Sequence, residues 1–317
     1  MKALILGICF AFAIGGMSAQ TTAWQPSAGH TQMTIWPGAV PDARPVAKPE
    51  TATTVTETKS LVAGKPWVEV DNVSRPTMTV YKPTGKNTGA AVVVFPGGGY
   101  EELAIDLEGT EACDWLTAKG ITCVLLKYRV PAPRSDPYWG AYPQSPIALE
   151  DAQRTLGLVR FHAAEWHIDP HKIGVMGFSA GGHLVAAMSV HFDRLYTTVD
   201  AADKESCRPD FAVAIYPGHL SFGEEKLERP ELNPDIREHL TRQAPPTFLL
   251  QNEDDDSDNV DDSLVYYIAL KNAGVPVEMH LYAQGGHAFG LRRTKLPVTR
   301  WPELVETWLG TLGMISE

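Results

Sequence analysis

Gly177-Phe178-Ser179-Ala180-Gly181, continued by Gly182-His183, decides how this sequence of 317 residues is read. It follows the apolar run Lys172-Ile173-Gly174-Val175-Met176 and precedes a helix-like stretch, Leu184 to Val190. Strand, tight turn with glycine on both shoulders, then helix is the setting in which G-x-S-x-G becomes a nucleophile elbow. Such a turn pushes the Ser179 hydroxyl above a sheet, and the new helix aims its first N–H groups at the same place.

Strands alternate with helices on either side of this stretch. Ala91-Val92-Val93-Val94-Phe95 and Ile121 to Lys127 are continuous apolar runs, as expected of strands covered on both faces. Phe211 to Tyr216, Thr247 to Gln251 and Val277 to Tyr282 are three more. Helical spacing occupies Leu107 to Lys119, Ile147 to Trp166, Asp262 to Asn272 and Thr299 to Leu312. That alternation predicts a mostly parallel central sheet with helices on both faces. Before it, Thr53 to Val62, Trp67 to Val73 and Thr77 to Lys82 alternate polar and apolar residues, as antiparallel strands do. Thr21 to Pro49 reads as an extended arm with Ile35-Trp36-Pro37 as its anchor. The expected organisation is a signal peptide at 1–19, an N-terminal arm at 20–52 and one catalytic domain at 53–317.

Met1-Lys2, the apolar run Ala3 to Ile14 and the small residues ending at Ala19 have the layout of a secretory signal. The expected location is therefore secreted or periplasmic. A net charge of −11 argues against nucleic acid or an anionic membrane surface as partner. Beyond the signal stand Cys113, Cys123 and Cys207, too few for a disulfide framework. One bridge between Cys113 and Cys123 is possible, but buried free thiols are the expectation. No spacing suggests a metal, and no cofactor is expected.

A serine hydroxyl needs a base, and the base needs a carboxylate. Gln284-Gly285-Gly286-His287-Ala288-Phe289-Gly290 follows the last strand, which puts His287 on a glycine-rich loop at the carboxyl end of the sheet. His183 and His280, on a helix and within a strand, are expected to pack instead. The carboxylate is sought in Asn252-Glu253-Asp254-Asp255-Asp256-Ser257-Asp258. Position after the strand favours Asp255, and Asp254, Asp256 and Asp258 are expected to tolerate amide replacement better. The same run is no calcium loop, because Asn259 and Val265 stand where glycine and glutamate are needed. Phe95-Pro96-Gly97-Gly98-Gly99-Tyr100 offers backbone N–H groups from Gly98 and Gly99 to an oxyanion, joined by Ala180.

With these motifs the chain resembles the α/β-hydrolase superfamily, and within it the secreted bacterial esterases of the acetylxylan esterase-like and feruloyl esterase-like kind. The resemblance is carried by Pro96 to Tyr100, Leu103-Ala104-Ile105-Asp106 with Glu108-Gly109, and Lys127-Tyr128-Arg129-Val130-Pro131. Asp151-Ala152-Gln153-Arg154, the Ser179 elbow and the His287 loop complete it. It implies Ser179 as nucleophile, His287 as base, Asp255 as acid, and Gly98, Gly99 and Ala180 around the oxyanion. Two departures are visible: Asp256 replaces the family's usual proline after Asp-Asp, and Ala288 stands where glycine is common. The implied substrate is a small ester or acylated carbohydrate, with acetyl the leading acyl group. A serine peptidase on the same fold and a non-catalytic binding protein are the competing readings. Tyr100, Trp139 and Tyr216 are the expected substrate-binding aromatics, Trp139 either as a sugar platform or as packing for its Pro-rich loop.

Overall fold

The computed structural model describes residues 23–43, 48–130, 146–222 and 230–315. The expected signal peptide and the Pro-rich loop that carries Trp139 lie outside them. In chain order the strands are β1 Gln32–Thr34, β2 Thr51–Val55, β3 Trp67–Asp71, β4 Thr77–Tyr81, β5 Ala91–Phe95, β6 Glu102–Ala104 and β7 Thr122–Lys127. They continue with β8 Ile173–Phe178, β9 Ala212–Ile215, β10 Ser221–Phe222, β11 Glu231–Leu232, β12 Thr247–Asn252 and β13 Val277–Tyr282. The helices are α1 Glu111–Ala118, α2 Ile147–Phe161, α3 Ala163–Trp166, α4 Ala180–Met188, α5 Pro234–His239, α6 Val260–Asn272 and α7 Trp301–Thr311.

The main sheet runs β1-β4-β7-β5-β8-β9-β12-β13. From β7 onward every neighbour is parallel, while β1 and β4 make an antiparallel edge. Helices cover both faces, the α/β-hydrolase architecture. The sequence explains the order. β5, β7 and β8 are buried at every residue, so only central places suit them. β13 has no fully buried residue, only half-buried and exposed ones, and takes the far edge. The carboxyl ends of β8, β12 and β13 therefore open on one side, carrying the elbow, the acidic loop and the His287 loop.

Local deviations have local causes. The expected strand Thr53–Val62 ends at Val55, because the chain makes a 3₁₀ turn at Thr58–Ser60 and reverses at Ala63-Gly64, both at positive φ. The result is a small antiparallel sheet, β2-β3-β6, over the carboxyl end of β5. The helix expected from Leu107 starts instead with a π turn, Asp106–Thr110, and only then becomes α1. A π turn inserts a residue and re-aims the side chains around it, here Glu108. The helix Ile147–Trp166 is interrupted at His162.

The expectation of free thiols at Cys113 and Cys123 is corrected. α1 turns back through Gly120 directly into β7, which brings the two Cα atoms to 5.1 Å, and the residues form a disulfide. Cys207 is a buried free thiol.

Two family-like motifs turn out to be structural. Arg129 is buried and donates to both Asp151 oxygens from Nε (3.1 and 2.9 Å), to Glu150 Oε2 (2.9 Å) and to the carbonyls of Pro41 and Ile147. Asp151 also accepts the Trp36 indole N–H at 2.8 Å, and Arg154 Nε donates to the Ile35 carbonyl at 2.9 Å. The anchor Ile35-Trp36 is thereby tied to α2 by groups that have left water. Removing one partner of such a buried ion pair costs roughly 3–5 kcal/mol, since the other charge stays buried and unpaired. Asp151→Ala is expected to lose about that much in urea unfolding, whereas the exposed Lys59→Ala, beside Glu57, stays within about 0.5 kcal/mol.

Candidate active site

Ser179 sits between β8 and α4 at φ 52° and ψ −121°, a conformation costly for a residue with a side chain. The surroundings hold it there. A Cβ on Gly177 would collide with the Gly181 carbonyl, and one on Gly181 with the Phe95 carbonyl. Ser179 N–H donates to Ile215 O at 3.0 Å, and its own carbonyl receives His183 N–H at 3.1 Å.

The His287 loop is pinned from the acidic loop after β12. Asp254 Oδ1 accepts the N–H groups of Gly285 and Gly286, each at 2.8 Å, and Asn252 Nδ2 donates to the Gly286 carbonyl. Asp254 is thus a loop anchor through one carboxylate oxygen, an acceptor that an amide retains. The His287 ring then lies with Nδ1 2.7 Å from Asp255 Oδ2 and Nε2 2.9 Å from Ser179 Oγ. A carboxylate on Nδ1 fixes the proton there and leaves the Nε2 lone pair to accept from serine. Asp255 is buried and further accepts from Ser257 N, Asp258 N and Gln251 Nε2, each at 3.0 Å.

A cleft of about 460 Å³ opens over Ser179 and His287. Gly98 and Gly99 form part of its lining. The N–H of Gly97 is taken by Glu108 Oε2 at 2.7 Å, and among the described residues no protein acceptor takes that of Gly98 or Gly99. Ala180, the first residue of α4, has no intrahelical acceptor for its N–H either. The structure thus brings together Ser179, His287, Asp255 and the three oxyanion candidates.

It does not bring the expected aromatics. Tyr216 is fully buried behind the ring of His287, donating its hydroxyl proton to Glu108 Oε1 at 2.8 Å and accepting Gly290 N–H at 3.0 Å. Tyr100 is buried, its hydroxyl 2.8 Å from His183 Nδ1, and faces a second cavity. Neither lines the cleft over Ser179. Among the described residues the cleft wall includes Trp67, from the small sheet, its indole N–H held by the Ser60 carbonyl at 3.0 Å.

Glu108 and Glu102 were given no role at the site in the sequence, and Asp258 was expected only to tolerate amide replacement. Glu108 is wholly buried and links the Gly97 turn to Tyr216; burial pushes its carboxyl up, against the hydrogen bonds of Tyr216 and Gly97. Its place in the Glu108-Gly109 motif was the available signal. Asp258 lies with Oδ2 3.2 Å from Ser179 Oγ and 3.5 Å from His287 Nε2. Burial raises its pKa although the charges of His287 and His219 oppose this. Glu102 lines the cleft with its pKa pushed up to about 7, by burial first and then by Glu69, Asp71 and Glu101. His183 is buried and held down to about 3, mainly by desolvation, so it stays neutral.

The BD-FAE family profile matches residues 78–218. An acetyl ester-xyloside bifunctional hydrolase from Caldicellulosiruptor lactoaceticus superposes with a TM-score of 0.68 at 30% identity, over 90% of this chain and 97% of that one. The chain belongs to the α/β-hydrolase superfamily, among its acetylxylan and feruloyl esterase-like members. An acetylxylan esterase from Xylanibacter ruminicola is 31% identical over 64% of this chain and 42% of its own length. Endo-1,4-beta-xylanase B from Butyrivibrio fibrisolvens is 27% identical over 62% of this chain and 32% of its own. The chain thus spans less than half the length of these curated relatives. Among the described residues no helix is long and apolar enough to cross a membrane.

The electrostatics make a prediction. Burial pulls the His287 pKa down, but the hydrogen bond to Asp255 and the charges of Asp258, Asp255 and Glu108 outweigh it, and the net shift is upward from 6.5. A base must be neutral to work, so kcat/KM for an ester is expected to rise with pH on an ionisation above 6.5. Asp258→Asn removes one of the charges that hold the proton, so the rise moves to lower pH. An unmoved profile in the folded variant means that Asp258 does not act on His287.

Proposed function

We propose that this protein is a secreted serine esterase that removes short acyl groups, acetyl above all, from acylated carbohydrate. The observation that carries the reading is the unbroken chain Asp255–His287–Ser179, with the Gly98-Gly99 turn lining the same cleft as Ser179 and His287. In this reading Ser179 Oγ attacks the ester carbonyl while His287 Nε2 takes its proton. The carbonyl oxygen, now negative, is met by the N–H groups of Gly98, Gly99 and Ala180. One such donor is typically worth about 2.7–4 kcal/mol of barrier. The C–O bond to the sugar breaks as His287 returns the proton to the leaving oxygen. Water, deprotonated by the same nitrogen, then releases the acid from Ser179. Asp255 holds the imidazole and stabilises its positive charge.

The carbohydrate assignment draws on the relatives, whose names pair acetyl ester cleavage with xylan-type substrates, and on Trp67 in the cleft wall. An indole face suits the apolar side of a sugar ring. The signal-like N-terminus and the Cys113–Cys123 bridge support an oxidising compartment. One catalytic domain from residue 53, with the preceding segment as an arm, fits the same reading.

The test uses acetylated xylo-oligosaccharide and nitrophenyl acetate. Ser179→Ala is expected to lose several powers of ten on both, and Ser179→Ala/His287→Ala to be little worse than the single change. Trp67→Ala is expected to weaken only the oligosaccharide reaction, because only that substrate reaches the cleft wall. Wild-type protein inactive on every acetylated sugar but active on nitrophenyl acetate removes the carbohydrate assignment and leaves the esterase. Near-normal activity of folded Ser179→Ala removes the mechanism.

A further inference from the structure

A second group of chemistry-bearing side chains lies away from the serine. His191 follows the C-terminal end of α4, and Asp235 and His239 stand one turn apart on α5. His191 Nε2 is 3.0 Å from Asp235 Oδ2, His239 Nδ1 is 3.6 Å from Asp235 Oδ1, and the two imidazole centroids are 4.2 Å apart. One ligand atom from each residue lies within 4.8 Å of the others. Two atoms bound to the same tetrahedral zinc at 2.0–2.2 Å are separated by about 3.4 Å. The ligand atoms stand no more than 4.8 Å apart, so an ion draws the widest pair together by no more than about 1.4 Å.

We propose that His191, Asp235 and His239 form a binding site for one divalent transition-metal ion of the zinc type. The donor set makes the choice: two imidazoles and a carboxylate suit zinc, whereas magnesium and calcium take oxygen ligands. The partners around the ligands favour it too. His239 Nδ1 is already held by the Asp235 carbonyl at 2.8 Å, a contact of the kind that orients a metal-binding ring. The His191 main chain is fixed by Gln153 Nε2 at 3.1 Å, and its side chain is mostly withdrawn from solvent. Asp235 and His239 are exposed enough to admit an ion from solution. Hydrogen bonding alone also accounts for the His191–Asp235 pair. It does not by itself require the His191 and His239 rings to stand 4.2 Å apart beside the same carboxylate.

The location gives the ion a purpose. His191 ends the segment that begins at Ser179, and α5 belongs to the excursion between β9 and β12 that also carries His219 at the cleft. A shared ion ties that excursion to the helix behind the nucleophile. The three ligands also stand at the second cavity, of about 400 Å³, with Tyr100 and His183 along its lining. Three protein ligands leave a fourth position for water or for an anionic group in that cavity. The ion has no place in the serine chemistry, because the cleft over Ser179 is lined by other residues.

His191 reaches Asp235 from 44 positions away in the chain, so local spacing does not announce the full set. The test is calorimetric titration of Zn²⁺ into chelator-treated protein, alongside His239→Gln and His191→Ala. The wild type is expected to bind one Zn²⁺ per chain and to unfold at higher temperature with it. His239→Gln should bind at least about 100-fold more weakly, since losing a direct ligand exceeds the 10–100-fold effect of an outer partner. A tetrahedral Co²⁺ visible spectrum in the wild type, absent from His239→Gln, is the second readout, and keeps the test open if His191→Ala fails to fold. No uptake by the wild type, or equal uptake by wild type and His239→Gln, overturns the site.

Discussion

The elbow leaves no space for a side chain on either shoulder, and the rest of the site is arranged around that constraint. Gly181 must meet the Phe95 carbonyl and Gly177 the Gly181 carbonyl, so β5, β8 and the start of α4 are locked at backbone contact. Only then can Ser179 hold its strained φ of 52° and present its hydroxyl above the sheet. The same closeness reaches the oxyanion turn. A side chain at Gly97 would meet Glu108, Phe178 and Ser179 together. Tyr128, from the end of β7, adds a hydrogen bond from its hydroxyl to the Pro96 carbonyl at 2.6 Å. Nucleophile and N–H donors are parts of one packed unit.

Around this unit the site gathers negative charge. Asp255 binds His287 directly, Asp258 approaches it from the serine side, and Glu108 lies behind it in a fully buried position. Their common effect is to favour a protonated His287, the imidazolium that the proposed mechanism forms when serine gives up its proton. The cost is a histidine that protonates more readily at rest. Asp258 also competes for the Ser179 hydroxyl, since one proton cannot serve both Asp258 and His287.

What the sequence disclosed divides by range. The β8–elbow–α4 unit, the buried strands and the position of His287 were legible because each depends on a few consecutive residues. Asp255 could be singled out by its place after β12, although the run of acids around it looked uniform. Asp254 and Asp258 differ from it only through their neighbours, Gly285 and Gly286 for one, Ser179 for the other. Trp67 was legible as a strand residue, but its place in the cleft comes from the small sheet folding over β5. Tyr100 and Tyr216 were expected in the substrate pocket. Each instead satisfies a buried partner, and that pairing spans 83 and 108 positions of sequence. The Cys113–Cys123 bridge needed the helix-to-strand reversal at Gly120, which composition does not report. Ala288, where the family resemblance implies glycine, adopts φ 51°, a conformation that glycine takes at less cost.

The central claim is that Asp255 and His287 make Ser179 a nucleophile. Intact-protein and peptide mass spectrometry after reaction with a fluorophosphonate reads this directly, without reference to any substrate. The account predicts one adduct per chain, on the peptide containing Ser179, with labelling slowed roughly 10⁴-fold or more in folded His287→Ala. A folded wild-type protein that takes up no label at Ser179, or labels equally fast without His287, would contradict it.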